Sequence, residues 1–179
     1  MTDVELSQLV GSWADVDASQ GEPDDAAITD ALTEAGAEIA LLRSGQALLA
    51  VVRLLADGSL ARSNKLVTVD AEPDTVSDAF LLRLAQEVAP DPAGAVIVLR
   101  RDGTPAGVIP REPVVHALPQ DLLRSTQHRQ GSPRVPALRF ECRRCAPPSV
   151  RLLRAPEADN APPTCPNDFL HGAMMAVER

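Results

Sequence analysis

Residues 95–109 read AVIVLRRDGTPAGVI, and this stretch decides the fold more than any other. Its first five residues are all aliphatic, which is typical of a strand buried on both faces. An Arg-Asp-Gly turn signal at residues 101–103 separates this run from a second aliphatic run. We therefore predict two strands, at residues 94–100 and 106–109, joined by a tight turn.

Helix signals stand on both sides of these strands. An apolar stripe with helical spacing runs from Leu81 to Val88, after a predicted capping box at residues 75–78. Pro90 ends this helix, and Pro113 suits the first turn of another. The order of elements predicts an α/β (α+β) fold class.

The first half of the chain shows a similar order. Leu6, Leu9, Val10 and Trp13 have helical spacing, so we predict a first helix near residues 3–14, followed by an acidic loop. A second helix is expected over residues 26–35. A β-hairpin over residues 38–55 and a further strand over residues 60–69 should follow it.

The two halves align with each other as helix, strand, turn and strand. Residues 28–32 match residues 76–80, and residues 39–45 match residues 96–103. We therefore predict a duplicated unit of roughly 48 residues. The predicted organisation is an N-terminal helix and acidic loop (1–25), a body of two units (26–65 and 66–118), a linker (119–139) and a zinc-binding segment (140–179).

Residues 66–118 resemble a cystathionine-β-synthase (CBS) domain, a small βαββα unit that usually occurs in tandem pairs and often senses adenosyl ligands. The resemblance implies that residues 26–65 are a degenerate first copy. In the family, a hydroxyl and a carboxylate after the last strand hold phosphate and ribose, but these positions are Pro110 and Pro113 here. Proline offers no polar side chain, so binding of a nucleotide through this motif is doubtful. The resemblance lies in LVTV at residues 66–69, TVSDA at 75–79, AVIVL at 95–99 and GTPAGVI at 103–109.

The C-terminal segment carries a different chemistry. Cys142 and Cys145 form a Cys-x-x-Cys pair, Cys165 follows after nineteen intervening residues, and His171 after five more. A two-residue spacer lets both thiolates reach one ion, and the whole spacing resembles a zinc ribbon. The intervening residues are rich in proline and poor in large apolar side chains, so a structural zinc ion would supply the order that a core does not.

The identity of the fourth ligand is open between two residues. A zinc ribbon normally places it three residues after the third, which is Asp168 here. We favour His171 because imidazole suits a sulfur-rich zinc site better than a carboxylate does. A redox Cys-x-x-Cys pair, a disulfide and plain buried thiols are the alternatives to a metal site.

The charge is unevenly spread along the chain. Residues 1–99 carry 17 acidic and 5 basic side chains, whereas residues 100–154 carry 4 and 11, within a net charge of −8. The acidic balance makes nucleic acid an unlikely partner, and the asymmetry favours a homodimer or a protein partner. The basic residues that we single out as possible contacts are Arg100, Arg101, Arg111, Arg143 and Arg144.

The sequence indicates a binding protein more than an enzyme. It has no Gly-rich phosphate loop, Gly-x-Ser-x-Gly elbow or His-Glu-x-x-His motif, and we assign no catalytic residue. Its start lacks a signal peptide and no apolar run is long enough for a membrane span, so we expect a cytoplasmic location. We predict a non-catalytic regulatory module that acts through protein–protein interaction. The alternatives are an adenosyl-nucleotide-sensing CBS protein and a nucleic-acid-binding zinc ribbon protein.

Overall fold

A computed structural model describes residues 4–118, 138–153 and 162–177. In these ranges the chain has an α+β fold, as the sequence predicts, and most of the predicted linker lies outside them. The strands are β1 (Val4–Glu5), β2 (Trp13–Asp17), β3 (Ile39–Ser44), β4 (Ala47–Leu54), β5 (Leu60–Ser63), β6 (Val67–Asp70), β7 (Thr75–Val76), β8 (Ala95–Leu99), β9 (Pro105–Pro110), β10 (Leu138–Cys142), β11 (Ser149–Leu153) and β12 (Met175–Ala176). The α-helices are α1 (Asp25–Ala35), α2 (Asp78–Val88) and α3 (Arg111–His116), and 3-10 turns cover Leu6–Gln8 and Phe169–His171.

Two units repeat the order strand, helix, strand, strand. In the first unit β2 is parallel to β3 and β3 is antiparallel to β4, and β6, β8 and β9 repeat this pattern in the second. The same pattern of strand pairing therefore occurs twice in the body. Helices α1 and α2 both have 11 residues and begin at positions 25 and 78, so the true offset is 53 residues and the predicted offset of about 48 is too short.

The helix caps explain where α1 and α2 begin. The Asp24 carboxylate accepts the N–H of Ala27, and Gly36 ends α1 in the left-handed conformation, at a φ of 58°. Ser77, not Thr75 as predicted, is the N-cap of α2, and its hydroxyl accepts the N–H of Phe80. Both helices therefore begin directly after a side-chain cap of the kind expected at such termini.

The predicted N-terminal helix over residues 3–14 is wrong. Trp13–Asp17 is strand β2, in which Ala14 and Val16 are buried while Asp15 and Asp17 are exposed. This alternation has the period of a strand, and it belongs to the first strand of the first unit. The first unit therefore starts near residue 13 instead of residue 26. The residues before it pair through β1 with β7 of the second unit.

The two units form two sheets that pack face to face. The first sheet has the order β2-β3-β4-β5 and the second has the order β12-β10-β11-β6-β8-β9. Buried aliphatic residues of both sheets, among them Leu41, Leu48, Ile97 and Val108, form a shared inter-sheet core. Helix α1 covers the outer face of the first sheet, and α2 and α3 cover that of the second, which gives four layers.

Residues 60–69 were predicted as one strand but form two. Strand β5 ends at Ser63 in the first sheet, and β6 begins at Val67 in the second. Lys65 lies between them, and its ammonium binds the Glu87 carboxylate at 3.0 Å. The chain therefore crosses from one sheet to the other at this point.

The predicted zinc-binding segment extends the body instead of forming a separate lobe. Strand β11 lies parallel to β6, and β10 pairs with both β11 and β12. Arg139 of β10 binds Glu87 of α2 at 2.8 Å, and Arg151 of β11 binds Asp70 of β6 at 2.6 Å. These ion pairs fasten the added strands to the second unit. Among the described residues, none of the helices is long and apolar enough to cross a membrane.

Candidate metal centre

The first cysteine pair lies at the turn between β10 and β11, which we call the first knuckle (residues 142–145). Cys142 is the last residue of β10, and Cys145 follows in the turn. The backbone N–H groups of Arg144 and Cys145 are hydrogen bonded to the sulfur of Cys142. This arrangement places donors around a thiolate, as the two-residue spacer predicts.

Residues 165–168 form a second knuckle with the same backbone pattern. The N–H groups of Asn167 and Asp168 point to the sulfur of Cys165, at the positions that Arg144 and Cys145 hold relative to Cys142. The N–H of Cys165 donates to the Gly172 carbonyl at 3.1 Å and closes the loop. The 3-10 turn that follows the knuckle carries His171 toward the thiols.

The structure brings Cys142, Cys145, Cys165 and His171 together, with their ligand atoms all within 4.8 Å of one another. Nδ1 of His171 lies 3.6, 3.4 and 3.6 Å from the sulfurs of Cys142, Cys145 and Cys165, and the last two sulfurs are 3.5 Å apart. Zn–S bonds of about 2.3 Å and Zn–N bonds of about 2.0–2.1 Å in a tetrahedron imply S···N distances of about 3.6 Å and S···S distances of about 3.8 Å. The spacing of the four side chains is therefore compatible with a tetrahedral metal ion.

Asp168, the alternative fourth ligand, lies on the other side of the imidazole. Its Oδ1 accepts the N–H of Leu170 at 2.8 Å, and its carbonyl accepts the N–H of His171 at 3.0 Å. Its Oδ2 lies 4.0 Å from Nε2 of His171, opposite the nitrogen that faces the thiols. Asp168 thus caps the turn that presents His171, and its Oδ2 lies beyond hydrogen-bond distance of Nε2.

The surroundings of Cys142 and Cys165 shift the pKa values of these two thiols in opposite directions. Burial would raise the pKa of Cys142, but the N–H groups of Arg144 and Cys145 and the neighbouring thiols lower it to about 7. Burial raises the pKa of Cys165 to about 12, against the backbone N–H groups directed at its sulfur. The Cys165 thiol therefore needs a cation beside it to be ionised at neutral pH.

The cluster is buried but has a small apolar shell. Cys142, Cys145 and Cys165 are 3%, 8% and 5% exposed, and the side chain of His171 is 27% exposed. The three cysteines make up half of their own core cluster, whose other members are Phe140, Leu153 and Met174. This shell keeps water from the thiols. It is small, however, because the candidate ligands themselves make up half of the core at this end of the fold.

The five arginines proposed as contacts lie in two places. Arg101 is highly exposed and binds Glu72 at 2.8 Å, whereas Arg100 and Arg111 donate to backbone carbonyls of their own chain, at 3.0 and 3.3 Å. Arg143 and Arg144 are exposed on the first knuckle, and Arg144 donates to the Leu170 carbonyl at 2.9 Å. The structure therefore separates the arginines of the second unit from those of the metal centre.

Two features beside the metal centre were not predicted from the sequence. A cleft of about 470 Å³ separates the knuckles from the first unit, and its lining includes His171, Asn167, Leu42 and Leu49. Phe169 and Leu170 are 78% and 68% exposed on the turn before His171. The sequence does show an apolar pair, Phe169 and Leu170, beside the candidate ligand His171, and this pair could have indicated the exposed surface. The cleft could not be predicted, because it depends on the packing of segments that are distant in sequence.

The sequence motif that would hold a nucleotide lies at the start of α3. Pro110 is the N-cap of this helix and Pro113 lies in its first turn. Nearby, Arg53 binds the Glu112 carboxylate at 2.7 Å beside a second cleft of about 420 Å³. The structure thus places no side-chain hydroxyl or carboxylate at positions 110 and 113.

Comparisons with known proteins give structural similarity only. No profile of a known protein family matches the chain, and no curated protein sequence matches it. Protein MJ1004 from Methanocaldococcus jannaschii is 14% identical, with a TM-score of 0.42 over 69% of this chain and 67% of the other. The CBS-pair protein CBSX2 from Arabidopsis thaliana is 15% identical, with a TM-score of 0.41 over 72% of this chain and 100% of the other.

Proposed function

We propose that this protein is a non-catalytic regulatory module that carries one structural zinc ion and acts through contact with another protein. The observation that carries the proposal is the tetrahedral spacing of three sulfurs and one imidazole nitrogen. Zinc prefers this ligand set and this geometry. Two knuckles with matching backbone hydrogen bonds support the resemblance to a zinc ribbon.

The ligand count supports a structural role for the ion. Four protein ligands complete a tetrahedron, so no position is left for the water or substrate that a catalytic zinc ion activates. The carboxylate of Asp168 caps a turn, and its Oδ2 lies 4.0 Å from Nε2 of His171. Its position suits the orientation of a ligand, not general base catalysis on a metal-bound water.

The surface of the metal centre supports contact with a protein. The chain has only three Phe residues, and one of them, Phe169, is 78% exposed beside Leu170. Exposed aromatic and aliphatic side chains side by side are typical of residues that become buried in a partner. Arg143 and Arg144 lie exposed on the neighbouring knuckle and add groups that bind carboxylates.

The partner proposal is tested with surface variants of the full chain. Light scattering measures the oligomeric state, and cross-linking in the native cell followed by mass spectrometry identifies the residues in contact. We expect Phe169→Ser together with Leu170→Ser to reduce the complex strongly, and Arg143→Glu with Arg144→Glu to make association slower and more sensitive to salt.

The matched control reverses Arg100 and Arg101, which are exposed on the second unit. If this control abolishes the complex and the variants at the metal centre do not, the contact surface lies on the second unit. A strict monomer that forms no cross-link to any protein would remove the support for an interaction module. Zinc content is measured in each variant so that loss of metal is not mistaken for loss of contact.

A further inference from the structure

The second knuckle touches both sheets. Its Pro166 carbonyl accepts the N–H of Leu48 at 3.0 Å, and Leu48 belongs to β4 of the first sheet. The side chain of Leu48 is 1% exposed and lies in the inter-sheet core. The knuckle therefore bonds directly to the strand that packs the first unit against the second.

Apart from the proposed ligation, few polar contacts among the described residues hold this knuckle in place. Asn167 accepts the hydroxyl of Ser149 at 2.6 Å, and the two-residue strand β12 pairs with β10. Met174 is buried, but Phe169 and Leu170 of the same segment are exposed. The apolar surface that the segment buries is therefore small, and ligation of Cys165 and His171 would add strong bonds to the hydrogen bond by which Arg144 links the first knuckle to the Leu170 carbonyl at 2.9 Å.

The cleft beside the metal centre lies between the second knuckle and the first unit. His171 and Asn167 line it on the knuckle side, and Leu42, Leu49 and Arg62 line it on the side of the first unit. His171 is both a wall residue and a proposed ligand. One wall of the cleft therefore includes a residue that would bind the ion.

We infer that the metal centre is a latch between the two sheets, which seats the second knuckle on Leu48 when the ion is bound and releases it, opening the cleft, when the ion is lost. This inference rests on the proposed zinc site. Binding or loss of the ion at the C-terminal segment would then change the hydrogen bonding of Leu48 in the first unit. The ion would then do more than order the segment that binds it.

Amide hydrogen exchange of the full chain, followed by NMR, tests the latch. The amide of Leu48 is compared between zinc-loaded protein and protein treated with a chelator, and zinc is then added back. We expect its exchange to become at least about tenfold faster without metal, because local opening then costs less free energy. Val51 is the matched control, since it lies in the same strand and is paired on both sides with β3 and β5.

Ser149→Ala separates the latch from its neighbouring hydrogen bond. This variant keeps all four ligands and loses the contact with Asn167, and we expect the zinc-loaded variant to keep Leu48 protected. Leu48 exchange that is unchanged after the metal is verified to be lost would overturn the latch, as would equal acceleration of Leu48 and Val51. Loss of protection in zinc-loaded Ser149→Ala would also overturn it. Protein that takes up no zinc at all would overturn both the latch and the proposed zinc site.

Discussion

Replacing His171 with alanine removes one of the four atoms that surround the metal position. Structural zinc in finger-like peptides binds with about 10–16 kcal/mol at neutral pH, and an equal share for each of four ligands is about 2.5–4 kcal/mol. The zinc dissociation constant of His171→Ala should therefore rise about a hundredfold to a thousandfold. Competition with a chromogenic chelator at pH 7 measures this change.

Asp168→Ala is the informative companion variant. It removes the cap of the turn that carries His171, and loss of a group that positions a ligand typically weakens metal binding about 10–100-fold. Asp102→Ala is the control, because Asp102 caps an exposed turn in the same way, through the N–H of Thr104 at 2.9 Å, far from the metal centre. An affinity unchanged by His171→Ala, or a larger loss with Asp168→Ala, would refute the assignment of the fourth ligand.

Three further predictions concern the body. Burial opposes ionisation of Glu87, but hydrogen bonds from Arg139 and Lys65 hold its pKa below the usual value. Glu87→Gln should therefore lower the free energy of unfolding in urea by about 2 kcal/mol at pH 7, and this difference from wild type should vanish as the pH falls through the lowered pKa. A difference that stays constant down to pH 2 would contradict a stabilising role of the ion pairs. Gly94→Ala should destabilise the fold by about 2 kcal/mol or more, because a Cβ would lie 2.3 Å from the Val88 carbonyl oxygen, and a urea midpoint equal to that of wild type would contradict this packing. AMP, ATP and S-adenosylmethionine should not raise the melting temperature, since prolines stand at the nucleotide motif, and a shift of several degrees would favour a nucleotide sensor.

The sequence was informative wherever a short-range rule decides the structure. The helix over residues 26–35 and the hairpin after it are confirmed. Both could be predicted from neighbouring residues alone: Gly36 ends the apolar stripe of the helix, and a turn signal at Ser44 and Gly45 separates the two aliphatic runs of the hairpin. Cysteine and histidine spacing likewise predicted which four side chains meet, since two knuckles need few residues and strict geometry.

The errors came from segments whose structure depends on distant partners. Trp13 completes a helical stripe of apolar residues, whereas the alternation of Ala14 and Val16 with polar residues fits a strand. Residues 13–17 form a strand because they pair in parallel with β3. Val150 and Leu152 were too few to suggest a core, but their burial comes from pairing β11 with β6 more than eighty residues away. No local pattern shows such a pairing, so the C-terminal segment was predicted as a separate lobe.

The zinc content of purified, reduced protein tests the central claim most directly. Elemental analysis should find about one zinc ion per chain, because three buried thiols and one imidazole are spaced for a single tetrahedral ion. Cys142→Ser should release that ion without unfolding α1, which packs on the far face of the first sheet. Folded and reduced wild-type protein that contains no zinc, and takes none up when zinc is added, would contradict the account.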